Sequence, residues 1–554
     1  MAIKRSTNGQ NAEKPSFLTM RLFNPGMSPM HRAGLGGLAC TLKYIERAYK
    51  NGDLAEKTAP GGPWQEGNPP WEIKPLEITL RFGKPENAGD FLKRLFACAF
   101  CIKERLIFLP AQHRVIPSVE TLAELQNGLT LSFLQHGRVR QLAKKETPIF
   151  YEIDGQLLQI SVKQCSGYKH QAGWKEFCSN GCLSDKPLEV VGPLNPGAVV
   201  RHVAFQAQTR IEEGPALVLP LYFALIGCVA LPINKGVGAL LVPEVIDLVT
   251  FSRIRPWMTP TGVRECRIAG GSDAALQAQV RLAASKIVQS QQFPGCHAVS
   301  FHSTPWASQQ KSRVDCLYVP PCDGPRLRQF EVALAELPPR IIPKKKGQMK
   351  QTRKKNEAVE KIDKSEFFWA DSVVRPLVAN NLAGSRRWYQ GFADLIRRSA
   401  KKVAFEKGGI NTMINKIPWE DHGESVVVKA VHEAIRKRFG QIAEENKGKL
   451  GTMKNRWRNE NDRWRLAFSG AKTAEQFRHS LCDLFGRAGN NSVLREKWQE
   501  VLPMLDARHW QLTRDLALLA LASYKGKGSD YVAEAMEELV DEVENGNIKT
   551  GGDK

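Results

Sequence analysis

VVVKAVHEAIRKRFGQIAEE, residues 426–445, carries apolar side chains at helical spacing with charge between them, and it decides how the second half of the chain is read. From about residue 366 onward the same periodicity returns in TAEQFRHSLCDLFGRAG and DARHWQLTRDLALLALASY. Thr473 followed by Gln476 has the spacing of a capping box, and Gly486 and Gly489 supply stops. Upstream the pattern changes. LEITLRF at 76–82 and YEIDGQLLQISV at 151–162 alternate as strands do, the second with Asp154–Gly155 as its turn. GDFLKRLFACAFCIKERL at 89–106 is helical by spacing, with Asp90 placed to cap it and Cys98 and Cys101 in its core pattern. The fold class is therefore α+β and multidomain, a mixed α/β N-terminal body followed by an all-helical bundle. The boundaries expected are a disordered 1–15, an α/β domain over 16–335, a basic linker over 336–365 and a helical bundle over 366–554.

PALVLPLYFALIGCVALPI, residues 215–233, is the most apolar stretch. Three prolines and its β-formers divide it into buried strands and argue against a membrane span. The opening MAIKRSTNGQNAEKP lacks the apolar core of a signal peptide, so a cytoplasmic protein is expected. Twelve cysteines in 554 residues fit reduced thiols better than a disulfide scaffold.

Charge is the most informative bulk property. Lys plus Arg number 79 against 57 Asp plus Glu, a net +22, which implies a polyanionic partner, nucleic acid before membrane. Eight cations and no acid lie between Arg340 and Asn356: Arg340, Lys344, Lys345, Lys346, Lys350, Arg353, Lys354 and Lys355. They read either as a solvated linker or as an arm on the phosphate backbone. Two turns interleave amide, cation and small residues. PINKGVGAL offers Asn234, Lys235 and Gly236, and WASQQKSRVD offers Gln309, Gln310, Lys311 and Arg313. Such side chains reach minor-groove acceptors, and glycine permits close backbone approach.

Catalytic motifs are missing: there is no GxxxxGK[ST], HExxH or GxSxG, and no cofactor is expected. Gly34, Gly36 and Gly37 in HRAGLGGLA suit close helix packing better than a phosphate cradle. Cys165, His170, Cys178 and Cys182 are weak metal candidates, because their first interval is wide for zinc; packed thiols and a surface histidine are the alternative. A nucleic-acid enzyme with an unrecognised metal centre and a general basic RNA-binding scaffold stay open as rival readings.

Four stretches, LFNPGMSPMHRAGLGGLACTL at 22–42, LLVPEVIDLVTFSRIR at 240–255, VVRPLVANNLAGSRRWYQGFADL at 373–395 and RDLALLALASY at 514–524, resemble the large subunit of type I CRISPR Cascade effector complexes in its MYXAN-type variant. The resemblance implies a non-enzymatic subunit working with CRISPR guide RNA, target double-stranded DNA and the other Cascade subunits. Its N-terminal domain would inspect the protospacer-adjacent motif (PAM) near the guide 5′ end. The C-terminal bundle, resembling the small subunit, would line the displaced strand of the R-loop. A recruited helicase-nuclease would serve antiviral defence, or a TniQ-type adaptor RNA-guided transposition. Some such systems restart translation inside the large-subunit gene, and Met413 is placed for that.

Overall fold

The computed structural model describes residues 14–64, 68–135, 139–196, 211–233, 236–286, 294–303, 312–343, 367–526 and 528–529. The chain forms two compact units, Met1–Pro321 with Ile341–Phe368 and Cys322–Arg340 with Trp369–Lys554. The first mixes strands with helices and the second is almost wholly helical. No helix among the described residues is long and apolar enough to cross a membrane.

The first unit is built around a helix pair. Pro29–Lys50 starts with Ser28 as N-cap, its Oγ accepting from the His31 N–H, and with proline at the first helical position. Its glycines lie against the helix Pro215–Gly227. A methyl group placed on Gly34 would stand 2.0 Å from Pro220 O, and one on Gly37 2.2 Å from Phe223 O. From the other side, a methyl on Gly227 would stand 1.8 Å from Ala33 O. Backbone meets backbone here, so the glycines pack helices, as their sequence suggested.

The partner helix corrects the reading of residues 215–233 as strands: only Val229–Ile233 is extended. Gly214 is the N-cap and Pro215 the first helical residue, a position where proline loses no hydrogen bond. Pro220 is accommodated inside the helix, and Val218–Gly227 is buried throughout. A helix enclosed on every side shows no polar face, so its period was invisible. Its C-terminal carbonyls are met by Arg255, which is fully buried: Nε donates to Gly227 O at 2.8 Å, Nη2 to Cys228 O, and Nη1 to Thr259 Oγ1 at 2.7 Å. Burial lowers its pKa to about 10, so the guanidinium stays charged at neutral pH where the helix end is negative.

Two local readings need adjustment. The helix begun at Ala88 ends at Ala99, and a short hairpin, Cys101–Lys103 with Leu106–Phe108, replaces its expected continuation. Asp90 lies in the first turn and pairs with Arg94 at 2.7 Å instead of capping. Cys98 is on the helix and Cys101 on the strand, both half-buried, and burial pushes the Cys98 thiol up to about 12. Thr147–Ile153 and Gln156–Val162 do form the expected hairpin, with Asp154 and Gly155 both at positive φ.

In the second unit the 24-residue helix His422–Glu445 packs against Ala474–Ala488, Ser492–Val501 and Trp510–Ser523. Trp457 and Trp464 of Leu450–Gly470 close on Phe439. Thr473 accepts from the Gln476 N–H as read, while Gln476 Oε1 reaches back to the Lys472 N–H, one residue beyond a capping box. Gly489 follows that helix; Gly486 lies inside it. The helix Gly324–Glu336 belongs to this unit, although the sequence reading drew the α/β boundary at 335. Within the expected linker, Arg340–Pro343 is a strand paired with Phe367–Ala370.

Candidate nucleic-acid interface

The strand Val229–Ile233 turns through residues 234–236 into Val237–Pro243, which pairs with Cys296–Ser303, which pairs in turn with Ser312–Val319. All pairings are antiparallel. Ile233 faces Val237, Gly238 faces Phe301, and Ser303 faces Ser312. In this register the strand ends Ile233, Val237, Ser303 and Ser312 lie at the same end of one sheet.

Two helices fix that end. On one face Val119–Leu131 approaches so closely that a methyl on Gly128 would stand 2.5 Å from Ala230 O, and one on Gly238 2.7 Å from Leu131 Cβ. On the other, Gly271 opens the helix Gly271–Ser285 against Ala298. Ala239, Leu240, Leu241 and Val242 are buried between them. Ile268 bridges Ile233 at the loop end, and the neighbouring Arg267 is hydrogen-bonded to Glu124, a buried carboxyl whose pKa burial raises while Arg267 opposes the rise. Gly236 has φ +76° with open space around it, so glycine there serves the backbone conformation of the turn and not packing.

Asn234, Lys235, Gln309, Gln310 and Lys311 lie outside the described residues, as do Lys344, Lys345, Lys346, Lys350, Arg353, Lys354 and Lys355. Arg313 lies in the strand Ser312–Val319, opposite His302, and not in a loop. Arg340 begins its own strand, and its Nη1 donates to Phe405 O at 3.0 Å with the guanidinium 5.6 Å from the Phe405 ring centroid.

The four metal candidates do not converge. Among the described residues no group of three or more His, Cys, Asp or Glu side chains could hold a metal ion. Cys165 donates to Gly167 O at 3.4 Å, and Cys178 and Cys182 sit on a two-residue hairpin of their own. His170 is buried, not on the surface as its polarity suggested. Phe100, Tyr168 and Tyr222 surround it, both ring nitrogens lack a hydrogen-bond partner, and burial brings its pKa down to about 3. It is a neutral aromatic ring in an aromatic cluster.

A contact the sequence did not disclose is Arg114 over Trp257, with the guanidinium carbon 4.3 Å from the ring centroid. The partners are too far apart in the chain for any local spacing to pair them.

Two family models match the chain: the DevT N-terminal domain over residues 19–222 and the DevT C-terminal domain over residues 415–549. The chain is also similar to "CRISPR-associated protein Cas8a1/Csx13" of Myxococcus xanthus (strain DK1622), with 32% identity over 555 residues that cover 96% of this chain and 92% of that protein.

Proposed function

Since the chain belongs to the MYXAN-type large subunits of type I CRISPR Cascade, we propose that it recognises the protospacer-adjacent motif in double-stranded DNA and stabilises the R-loop that follows. The loop end of the four-stranded sheet is the reading element. The observation that carries this is that the strand ends flanking 234–235 and 304–311, distant in sequence, lie at one end of one clamped sheet. A rigid platform presenting amide and cationic side chains suits a short motif, while base pairing to the guide RNA supplies the remaining specificity. Asn234, Lys235, Gln309, Gln310 and Lys311 make the groove contacts, and Gly236 lets the backbone approach. The basic stretch over 344–355 holds phosphates, which carry no sequence.

In this reading the subunit catalyses nothing. Other Cascade subunits hold the guide, and a recruited helicase-nuclease or a TniQ-type adaptor acts on the DNA once the R-loop is open.

The test is made on the assembled complex, with Asn234→Ala/Lys235→Ala and Gln309→Ala/Lys311→Ala. Each pair should lower binding to motif-bearing duplex by about 1 to 3 kcal/mol per lost base contact, with assembly intact. Variants that assemble and keep the wild-type ratio between motif-bearing and motif-free duplexes would overturn the reading.

A further inference from the structure

The second candidate surface lies a helix length from the loop end. The far end of Val119–Leu131, at Gly128 and Leu131, touches Ala230 and Gly238, whereas its Ser118 cap follows the segment Arg114–Pro117. Thirteen helical residues span about 20 Å. Near that opposite end, cations and rings alternate. Arg114 is laid over Trp257, and Lys103 Nζ stands 5.9 Å from the Phe108 ring, whose other neighbour is His113, nearly parallel at 9°. Arg253 lies one helical turn before Trp257 on Leu248–Met258, so the two share a face.

Three features set this surface apart from ordinary solvated charge. Among the described residues, Lys103, Arg105, Arg114 and Arg253 have no carboxylate partner, whereas Arg21, Arg81, Arg94, Arg264 and Arg267 of the same unit each have one. Glu104 and Arg105 both hold positive φ at the hairpin tip, where asparagine and glycine are the usual residues, and Arg105 O is tied to the Cys165 N–H at 2.7 Å. The apolar residues Val115 and Ile116 stand 56% and 73% exposed directly after Arg114, held between a pinned arginine and the buried Pro117.

We propose that Lys103, Arg105, Arg114 and Arg253, with the rings of Phe108 and Trp257, form a binding site for single-stranded nucleic acid. Trp257 holds the Arg114 guanidinium over its ring, leaving its outer face for an unstacked base, and the neighbouring cations take the phosphates on either side. Val115 and Ile116 cover the apolar face of that base. Paired bases in a duplex offer no free ring face to such a platform, so the site is selective for unpaired strands. It is independent of which loop reads the motif.

The full chain is titrated into fluorescein-labelled dT and rU oligonucleotides of about 15 nucleotides, and binding is followed by anisotropy across a salt series. Arg114→Ala should weaken binding about fivefold to a hundredfold and lower the salt slope by about one unit. Arg114→Lys should keep the slope and still lose affinity, because an ammonium does not stack. Arg253→Ala provides a second, exposed position, and circular dichroism checks that each variant folds. Lys84→Ala, at an exposed cation outside both surfaces, should leave this binding unchanged, and because the oligonucleotides carry no motif a failure here is separate from a failure of the motif reading. Wild-type affinity in both Arg114 variants would overturn the proposal. So would a Val115→Ser/Ile116→Ser protein that binds oligonucleotides normally but no longer joins the other subunits, since the apolar tip would then be a protein contact.

Discussion

Replacing Gly37 by alanine sets two opposite effects against each other. Helix propensity favours alanine over glycine by about 1 kcal/mol. At Gly37 the new methyl would lie 2.2 Å from Phe223 O and 2.6 Å from Gly227 N, both main-chain atoms that no rotamer change can move aside. Ordinary contact needs about 1 Å more, so the two helices must part along their whole crossing. Overpacking a tight core costs about 1 to 3 kcal/mol, and backbone contact puts this site at the upper end. Subtracting the propensity gain leaves a net loss of about 2 kcal/mol. The control is Gly440→Ala, inside His422–Glu445, where nothing lies within 4 Å of the added methyl. There only propensity acts, and the chain should gain up to about 1 kcal/mol. Urea unfolding would read both, with tryptophan fluorescence and circular dichroism separating the transitions of the two units. With m near 2 kcal/mol/M, Gly37→Ala should move the midpoint of the α/β unit down by about 1 M, and Gly440→Ala that of the helical unit slightly up. A Gly37→Ala protein as stable as wild type would refute the backbone-contact argument, and a destabilised Gly440→Ala protein would refute the propensity side.

His170→Phe should stabilise the first unit by about 1 kcal/mol at pH 7, because it removes two buried nitrogens without partners from an aromatic cluster. Its folded pKa of about 3 lies below the ordinary histidine value of 6.5, so the wild type loses stability as pH falls from that value towards 3; the variant should lose less, as urea midpoints across that window would show. Lower midpoints, or metal lost from the purified variant, would point instead to a ligand role for the ring. Glu433 behaves in the opposite sense. Burial works to raise its pKa, yet hydrogen bonds from the Val493 N–H, Ser492 Oγ and Lys437 Nζ hold it down to about 2, so its contribution is present above pH 4.5 and is lost as pH falls towards 2. Glu433→Gln should remove that part of the acid sensitivity of the helical unit, and an unchanged acid transition by circular dichroism would contradict it.

What the sequence disclosed was local. The Asp154–Gly155 turn, the Thr473 cap and the spacing of Val427, Val431 and Ile435 each report on a few neighbouring residues, and each appears in the structure. The helix Pro215–Gly227 was misread because its conformation is settled by Gly34 and Gly37, far away in the chain. The hairpin at Cys101 was missed because an apolar run that leaves a helix for a half-buried strand keeps its composition. The same limit applies to the site. That the strand ends flanking 234–235 and 304–311 lie at one end of the sheet depends on the pairing of Gly238 with Phe301, which no local pattern encodes. Arg114 on Trp257 is a contact of the same kind.

The placement of the helix Gly324–Glu336 bears on how this gene could be divided. The chain passes between its two units at Pro321–Cys322, at Arg340–Ile341 and at Phe368–Trp369, so no single cut separates them cleanly. Glu336 O lies where a methyl on Gly409 would need to be, Gln329 Nε2 donates to Pro418 O at 2.8 Å, and Arg375 Nη1 donates to Leu337 O at 3.1 Å. A product restarted at Met413 would begin inside the helix Lys407–Lys416. It would lack Gly324–Glu336 and also Phe392–Ala404, leaving Asp515 without the Gly391 and Ala393 N–H groups it accepts from at 2.6 and 3.0 Å. The helical half is thus sewn into the gene by an earlier stitch, and an autonomous copy would have to cover an apolar seam and satisfy a buried carboxylate by other means.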